Sequence, residues 1–408
     1  MEVRAGYKTT DVGVIPADWD VCSVADVVTS FQNGFAFASH GYVKSGMPIV
    51  TMAQIGLDGT FNFQSDAVNY WPLKAASALT DFQLICGDII VAMTDVTPQK
   101  NLIGRMVQVT EEGPLLLNQR VGLLRVSADR IDPYFLRAIS NSSGWRTYAR
   151  AVASLGVQAN ISTTDILSGK LALPSLHEQR AIATALSDVD ALIAGLEKLI
   201  AKKRDLKQAT MQQLLTGQTR LPGFSGAWSV RGLGDISEIE MGQSPSSVNY
   251  NSKGQGLPLI QGNADIRDRQ TIKRVFTTQI TKQGKLGDVL LSVRAPVGEV
   301  ARATFDFCIG RGVCVVRTSN DFIYHALIYL EPSWERFSKG STFDSVNSTD
   351  VAAVQIAVPN DFSEQVAIAA ALSDIDAELS ALEFRFKKTL DLKQGLMQEL
   401  LTGRTRLV

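Results

Sequence analysis

Few residues in this chain are typed and spaced for catalysis. No Gly-x-x-x-x-Gly-Lys-Ser/Thr phosphate loop and no convincing Gly-x-Gly-x-x-Gly turn occurs, so a nucleotide finds no ready cradle. His40, His177 and His325 are scattered, without a zinc motif. Cys22, Cys86, Cys308 and Cys314 have neither paired metal spacing nor a dense disulfide framework. Asp132-Pro133-Tyr134-Phe135 is one proline short of the Asp/Asn-Pro-Pro-Tyr/Phe segment with which amino-methyltransferases hold a flipped adenine. The answering Asn320-Asp321-Phe322 has no proline at all. Both sites read as helix starts, with Asp132 as N-cap and Pro133 as first helical residue. His177, beside Glu178 at the entrance of a long helix, reads as a capping or surface residue.

Charge is almost balanced, with 40 Lys+Arg against 41 Asp+Glu. Residues 1–175 hold 13 basic against 15 acidic residues, and 220–360 hold 15 against 13. Any polyanionic partner must therefore be met by local patches. The start, MEVRAGYKTT, lacks an apolar signal region, and no apolar run approaches membrane-spanning length. A soluble cytoplasmic protein is the expectation.

The elements that must position any site are set by a repeat. Residues 176–217 return as 362–403 without a gap: Glu178-Gln179 as Glu364-Gln365, Leu186-Ser187-Asp188 as Leu372-Ser373-Asp374, Lys207-Gln208 as Lys393-Gln394. In each copy apolar residues alternate by three and four: Ile182, Leu186, Val189, Ile193, Leu196 and Ile200, then Ile368, Leu372, Ile375, Leu379, Leu382 and Phe386. That seam has the coiled-coil period. No proline interrupts either copy, and Gly217 and Gly403 stand as C-cap glycines. Each stretch predicts a rod of roughly 60 Å at 1.5 Å per residue, with the seams paired.

The segments between repeat more loosely. Short β-like runs occur at PIVTMAQI (48–55), DIIVAM (88–93), RMVQVT (105–110) and VGLLRV (121–126), followed by a helix through PYFLRAIS. Gly287-Asp288-Val289-Leu290 answers Gly87-Asp88-Ile89-Ile90, Ala227-Trp228 answers Asp18-Trp19, and Val358-Pro359 answers Leu173-Pro174. The expected order is a globular domain at 1–175, a helix at 176–217, a second domain at 218–361, and a helix with tail at 362–408. The ends of a compact domain lie close together, so the helices should run antiparallel. The expected fold class is α+β, two globular domains in pseudo-two-fold arrangement joined by a long antiparallel coiled coil.

This arrangement resembles the specificity subunit of type I restriction–modification systems over essentially the whole chain. The carrying motifs are VGVIPADWDV, LPSLHEQRAIATALSDVDALI with LLTGQTRLPGF, SPSSVNYNSKGQGLPLIQGNADI with GDVLLSVRAPVGEV, LSDIDAELSALE, and KQGLMQELLTGRTRL. The resemblance implies two target-recognition domains, each reading half of a bipartite double-stranded DNA sequence. It implies helices that set the spacing and dock two methyltransferase subunits and the restriction (translocase) subunits. S-adenosylmethionine, ATP and Mg would belong to those partners, with no cofactor or metal in this chain. One departure stands out: the second domain has SVRAPVG where the first has AMTDVTPQKNLIG.

Side-chain chemistry nominates the DNA contacts. Arg or Lys reads guanine, Asn or Gln reads adenine, and small polar groups join Lys and Arg on phosphates. In the first domain the candidates are Gln32, Asn33, Gln54, Lys100, Arg105 and Arg120. In the second they are Gln243, Ser244, Asn263, Lys273, Arg274, Arg294 and Arg311, with Arg294 and Arg311 foremost. A coiled-coil scaffold that does not touch DNA is the alternative. An autonomous methyltransferase or nuclease would require a cofactor motif.

Overall fold

The computed structural model describes residues 4–154, 158–336 and 345–407. It divides into two compact units, Met1–Gly195 with Phe386–Val408, and Leu196–Arg385. Each holds one globular domain and a stretch of both long helices.

In the first unit, a four-stranded antiparallel sheet takes the order Met106–Gln108, Ile89–Ala92, Val121–Val126, Val28–Asn33. A second sheet runs Asn69–Trp71, Met47–Val50, Leu115–Leu117, Gln83–Leu84, with Leu115–Leu117 parallel to Met47–Val50. The strand Ile89–Ala92 is buried throughout. Its alternation sends Ile90 and Ala92 into one core, and Ile89 and Val91 into the core beneath the helices. A strand covered on both faces reads as a continuous apolar run, which is why DIIVAM shows no alternation.

The second unit repeats the plan at different sizes. Glu238–Met241, Val313–Arg317, Val289–Ser292, Val300–Arg302, Gln270–Thr271 and Ile266–Arg267 form one sheet. In the other sheet Leu257–Ile260 pairs in parallel with Phe307–Ile309. Leu290 faces one core, and Val289 and Leu291 the other.

One expectation needs correcting. The run 48–55 is strand only to Val50, because Thr51 accepts from Ala53 N at 3.3 Å while Gln54 Oε1 accepts from Thr51 N at 2.8 Å, turning the chain into a 3-10 turn. The strand Leu115–Leu117 and the helix Ser143–Val152 were not anticipated. The helix Pro133–Ser140 falls where expected, with Asp132 accepting from Phe135 N at 3.0 Å.

The long helices are Leu176–Leu215 and Phe362–Leu400. Gly217 (φ 69°) and Gly403 (φ 67°) end them in the left-handed region. A Cβ there would press on Trp228 or on Pro16, so glycine is required on two counts. None of the twelve seam residues is exposed. Ile182 and Leu186 complete the first unit's core, and Ile368 and Leu372 the second's. In the second unit, Trp228–Gly232 pairs antiparallel with Gln355–Pro359, so the chain leaves this domain where it entered. Within each unit the helix stretches run antiparallel: Lys393 Nζ lies 2.6 Å from Asp190 in the first, and Lys207 Nζ 2.5 Å from Asp376 in the second.

His325 sits in the core of the second unit at 1% exposure. Its Nε2 shares a 3.0 Å hydrogen bond with Ser373 Oγ, while Nδ1 has no hydrogen-bond partner among the described residues and lies 3.9 Å from Asp376. Burial pushes its pKa down to about 4, against the pull of Asp376 and with the repulsion of Lys207. The unfolded chain therefore binds a proton that the folded chain refuses between about pH 4 and the ordinary value near 6.5. His325 adds no pH dependence above that window, and stability on the order of 3 kcal/mol is lost as pH falls through it. Urea midpoints from pH 7.5 to 4.5 should fall more steeply for wild type than for His325→Gln. Parallel curves would show that the imidazole does not carry this dependence.

Candidate nucleic-acid interface

At the head of each long helix a buried glutamate binds the arginine that follows the other helix. In the first unit Glu178, 1% exposed at the start of the first long helix, accepts from Arg406, with Nη2 to Oε2 at 2.8 Å. The same arginine reaches Asp18 at 2.9 and 3.0 Å, and Trp19 Nε1 donates to Glu178 Oε2 at 3.0 Å. The hydrogen bonds from Arg406 hold the Asp18 carboxyl below its usual range, and the two carboxylates raise the guanidinium's pKa. In the second unit Arg220 binds both oxygens of Glu364, which is 0% exposed, with Nη2 to Oε2 at 2.6 Å. The neighbouring glutamines complete each joint. Gln179 accepts from Asp132 N at 2.9 Å and donates to Pro174 O at 2.9 Å, while Gln365 donates to Pro359 O at 2.8 Å. The sequence signal for these joints is that Arg220 and Arg406 follow the same Thr in both copies.

The second domain gathers its candidates on adjoining turns at strand ends. Gln243 N donates to Ile309 O at 2.9 Å, and Ser244 Oγ accepts from Arg311 N at 3.2 Å. Arg311 projects from between Gly310 and Gly312, where a Cβ on Gly312 would lie 1.9 Å from Gln261 O. Val293 N donates to Gly312 O at 3.0 Å, which places the Arg294 loop beside that turn. Arg294 is exposed and has no side-chain partner among the described residues. Asn263 donates to Glu299, and Arg274 Nη1 lies 3.3 Å from Asp265. Lys273 covers the Phe305 ring at 4.9 Å.

The first domain uses its candidates differently. Gln32 is half-buried, and exposed Asn33 accepts from Thr163 at 3.3 Å. Exposed Arg120 donates its backbone N to Asn118 Oδ1 at 3.2 Å, and its guanidinium has no partner among the described residues. Gln54 is 4% exposed and committed to the Thr51 turn. Lys100 donates to Ala153 O at 3.1 Å, and Arg105 to Asn101 O at 2.7 Å and Asn141 Oδ1. Buried Arg146 donates to the carbonyls of Ile103, Lys100 and Asn101. Desolvation, then Arg105 and Arg150, pulls its pKa down to about 9. Asp95 accepts from Thr97 N at 2.7 Å and Leu102 N at 2.5 Å. The segment that replaces SVRAPVG is thus a braced loop, and its one cation, Lys100, holds backbone.

The family model for the type I restriction modification DNA specificity domain matches twice, at residues 16–203 and 226–391. The chain belongs to that family. A relative from Methanocaldococcus jannaschii, provisionally named a type I restriction enzyme MjaX specificity subunit, is 31% identical over 98% of this chain and 96% of its own. The EcoBI specificity subunit of Escherichia coli is 27% identical over 47% of this chain and 38% of its own. Among solved structures, the type I S subunit from M. genitalium matches with a TM-score of 0.62 at 16% identity, covering 98% of both chains. A chain from a study of complex assembly and conformational transition of the type I R-M system gives 0.55 at 23% identity, covering 96% of this chain and 99% of that one. At those identities the structures attest the fold. Each family match spans one globular domain and most of the long helix that follows it. In this specificity subunit the unit of duplication is therefore reader plus frame.

These placements separate bracing cations from presented ones. Arg105→Ala should lower stability by about 1–3 kcal/mol through lost charged hydrogen bonds. Arg120→Ala should stay within about 0.5 kcal/mol of wild type. Denaturant midpoints of the two variants decide this, and equal losses would contradict the assignment.

Proposed function

We propose that this chain is the non-catalytic DNA-recognition subunit of a cytoplasmic type I restriction–modification complex. Residues 1–175 and 218–361 each read one half of a bipartite double-stranded site. Ile182 and Leu186 share the first unit's core with Leu400 and Leu401 of the other long helix, and Ile368 and Leu372 share the second's with Met211 and Leu214, so the paired helices serve as the frame of the readers. The same frame docks two methyltransferase subunits and the restriction subunits, which supply S-adenosylmethionine, ATP and Mg chemistry.

One observation carries this reading: the same buried glutamate–arginine pair recurs in two units whose corresponding domain loops differ in chemistry. At the position where the second domain presents Arg294, the first has a loop braced by Asp95 and Arg146. An invariant frame with divergent loops suits one task performed on two different targets. Base readers drawn from the exposed and half-buried candidates are Gln32, Asn33 and Arg120 in the first domain, and Gln243, Ser244, Arg294 and Arg311 in the second.

The test is an exchange. Replacing residues 1–175 with the first domain of another family member, beside the modification subunit, should change one half of the methylated motif and leave the other intact. Simultaneous change of both halves would end the picture of independent readers.

A further inference from the structure

The second domain contains a cleft of about 390 Å³ between the turn Gln261–Asp265 and the loop carrying Arg294, with Arg274 on its rim. Both sides are held rigid. Asp265, 5% exposed, accepts from Gln261 N at 2.7 Å, which fixes the turn, and its other oxygen faces Arg274 at 3.3 Å. Across the cleft, Ser292 Oγ donates to Pro296 O at 2.8 Å and accepts from Glu299 N at 2.9 Å. Glu299 in turn accepts from Asn263, tying loop to turn.

The charges decide what such a cleft can hold. Arg274 is offset by Asp265, and a second carboxylate, Glu299, stands behind Asn263. Two carboxylates against two guanidinium groups disfavour a phosphate, which gains most where cations outnumber anions. A neutral ligand edge with two acceptors suits it better, because Arg294 is the guanidinium left without a partner. Its fork of donors matches O6 and N7 of guanine in a bidentate pair.

We propose that Arg294 reads the guanine of one G·C pair in the half-site of the second domain, with Asp265 as a positioning residue that holds the opposite wall of the cleft. This rests on the function proposed above. Position-specific loss separates base reading from phosphate contact, which weakens all sequences alike.

The experiment uses the full chain with its modification subunit on a DNA library randomised over both half-sites, read by methylation mapping. The wild-type motif should carry a G·C pair in the second half-site. Arg294→Ala should lower the preference for that pair by about 5- to 150-fold, with every other position unchanged. Arg294→Gln should move the preference toward A·T, since glutamine pairs with adenine N6 and N7. Asp265→Asn should relax the same position, whereas a purely structural role would lower methylation evenly across the motif. A second half-site without a G·C pair, or an even loss in Arg294→Ala, overturns the assignment of Arg294 while leaving the bipartite reading intact. A wild-type complex that methylates without any bipartite motif removes both.

Discussion

The structure depends on a buried carboxylate at the head of each long helix. Glu178 and Glu364 are excluded from water, and each would be untenable as an anion without the arginine that follows the other helix. A buried ion pair is not by itself a strong stabiliser, since desolvation offsets much of the attraction. Its effect is on specification, because a charge with one acceptable partner rejects every register that leaves it bare. Arg220 and Arg406 lie just beyond the C-cap glycines, so the clasp forms only when each helix has run its full length and turned. Helix length, seam register and domain attachment are thereby fixed together.

The two clasps are not identical in their surroundings. Glu178 is shared by Arg406 and Trp19, and Asp18 takes the outer face of the guanidinium. In the second unit Ala227 stands where Asp18 did, Arg220 takes both oxygens of Glu364, and the indole nitrogen of Trp228 is left without a partner among the described residues. The frame thus tolerates local variation around a constant charge pair. The loops vary further still, because they project from strands whose cores are filled on both faces. An inserted loop changes what a domain presents without disturbing what holds it.

The long helices were legible because their signal is periodic, duplicated and closed by glycine. The helix at Asp132-Pro133 was legible from its cap. Strands covered on both faces gave plain apolar runs, but Leu115–Leu117 is too short to stand out in Pro114-Leu115-Leu116-Leu117-Asn118 without knowing its parallel partner. Among the candidate contacts, residue type could not tell a presented cation from a bracing one. Arg105 and Lys100 carry the same charge as Arg294, yet the fold turns Lys100 onto Ala153 O and Arg105 onto the Asn141 side chain, partners far away in sequence. Arg146 carries no signal in the sequence, because the carbonyls it holds are more than forty residues away. Burial and partners decide such cases, and both are long-range properties. The clasp arginines had a readable signal, the repeated Thr-Arg-Leu after each glycine, but its meaning needed the antiparallel geometry.

The clasp is tested most directly by a double-mutant cycle between Glu178 and Arg406. Glu178→Gln, Arg406→Met and the double variant would be compared with wild type through hydrogen exchange of the amides opening the first long helix. Contacting charges should couple by about 1–3 kcal/mol, with the double variant more protected than the sum of the single losses predicts. Strictly additive losses would show that the helix heads are held by packing alone, and the clasp would lose its place in the account.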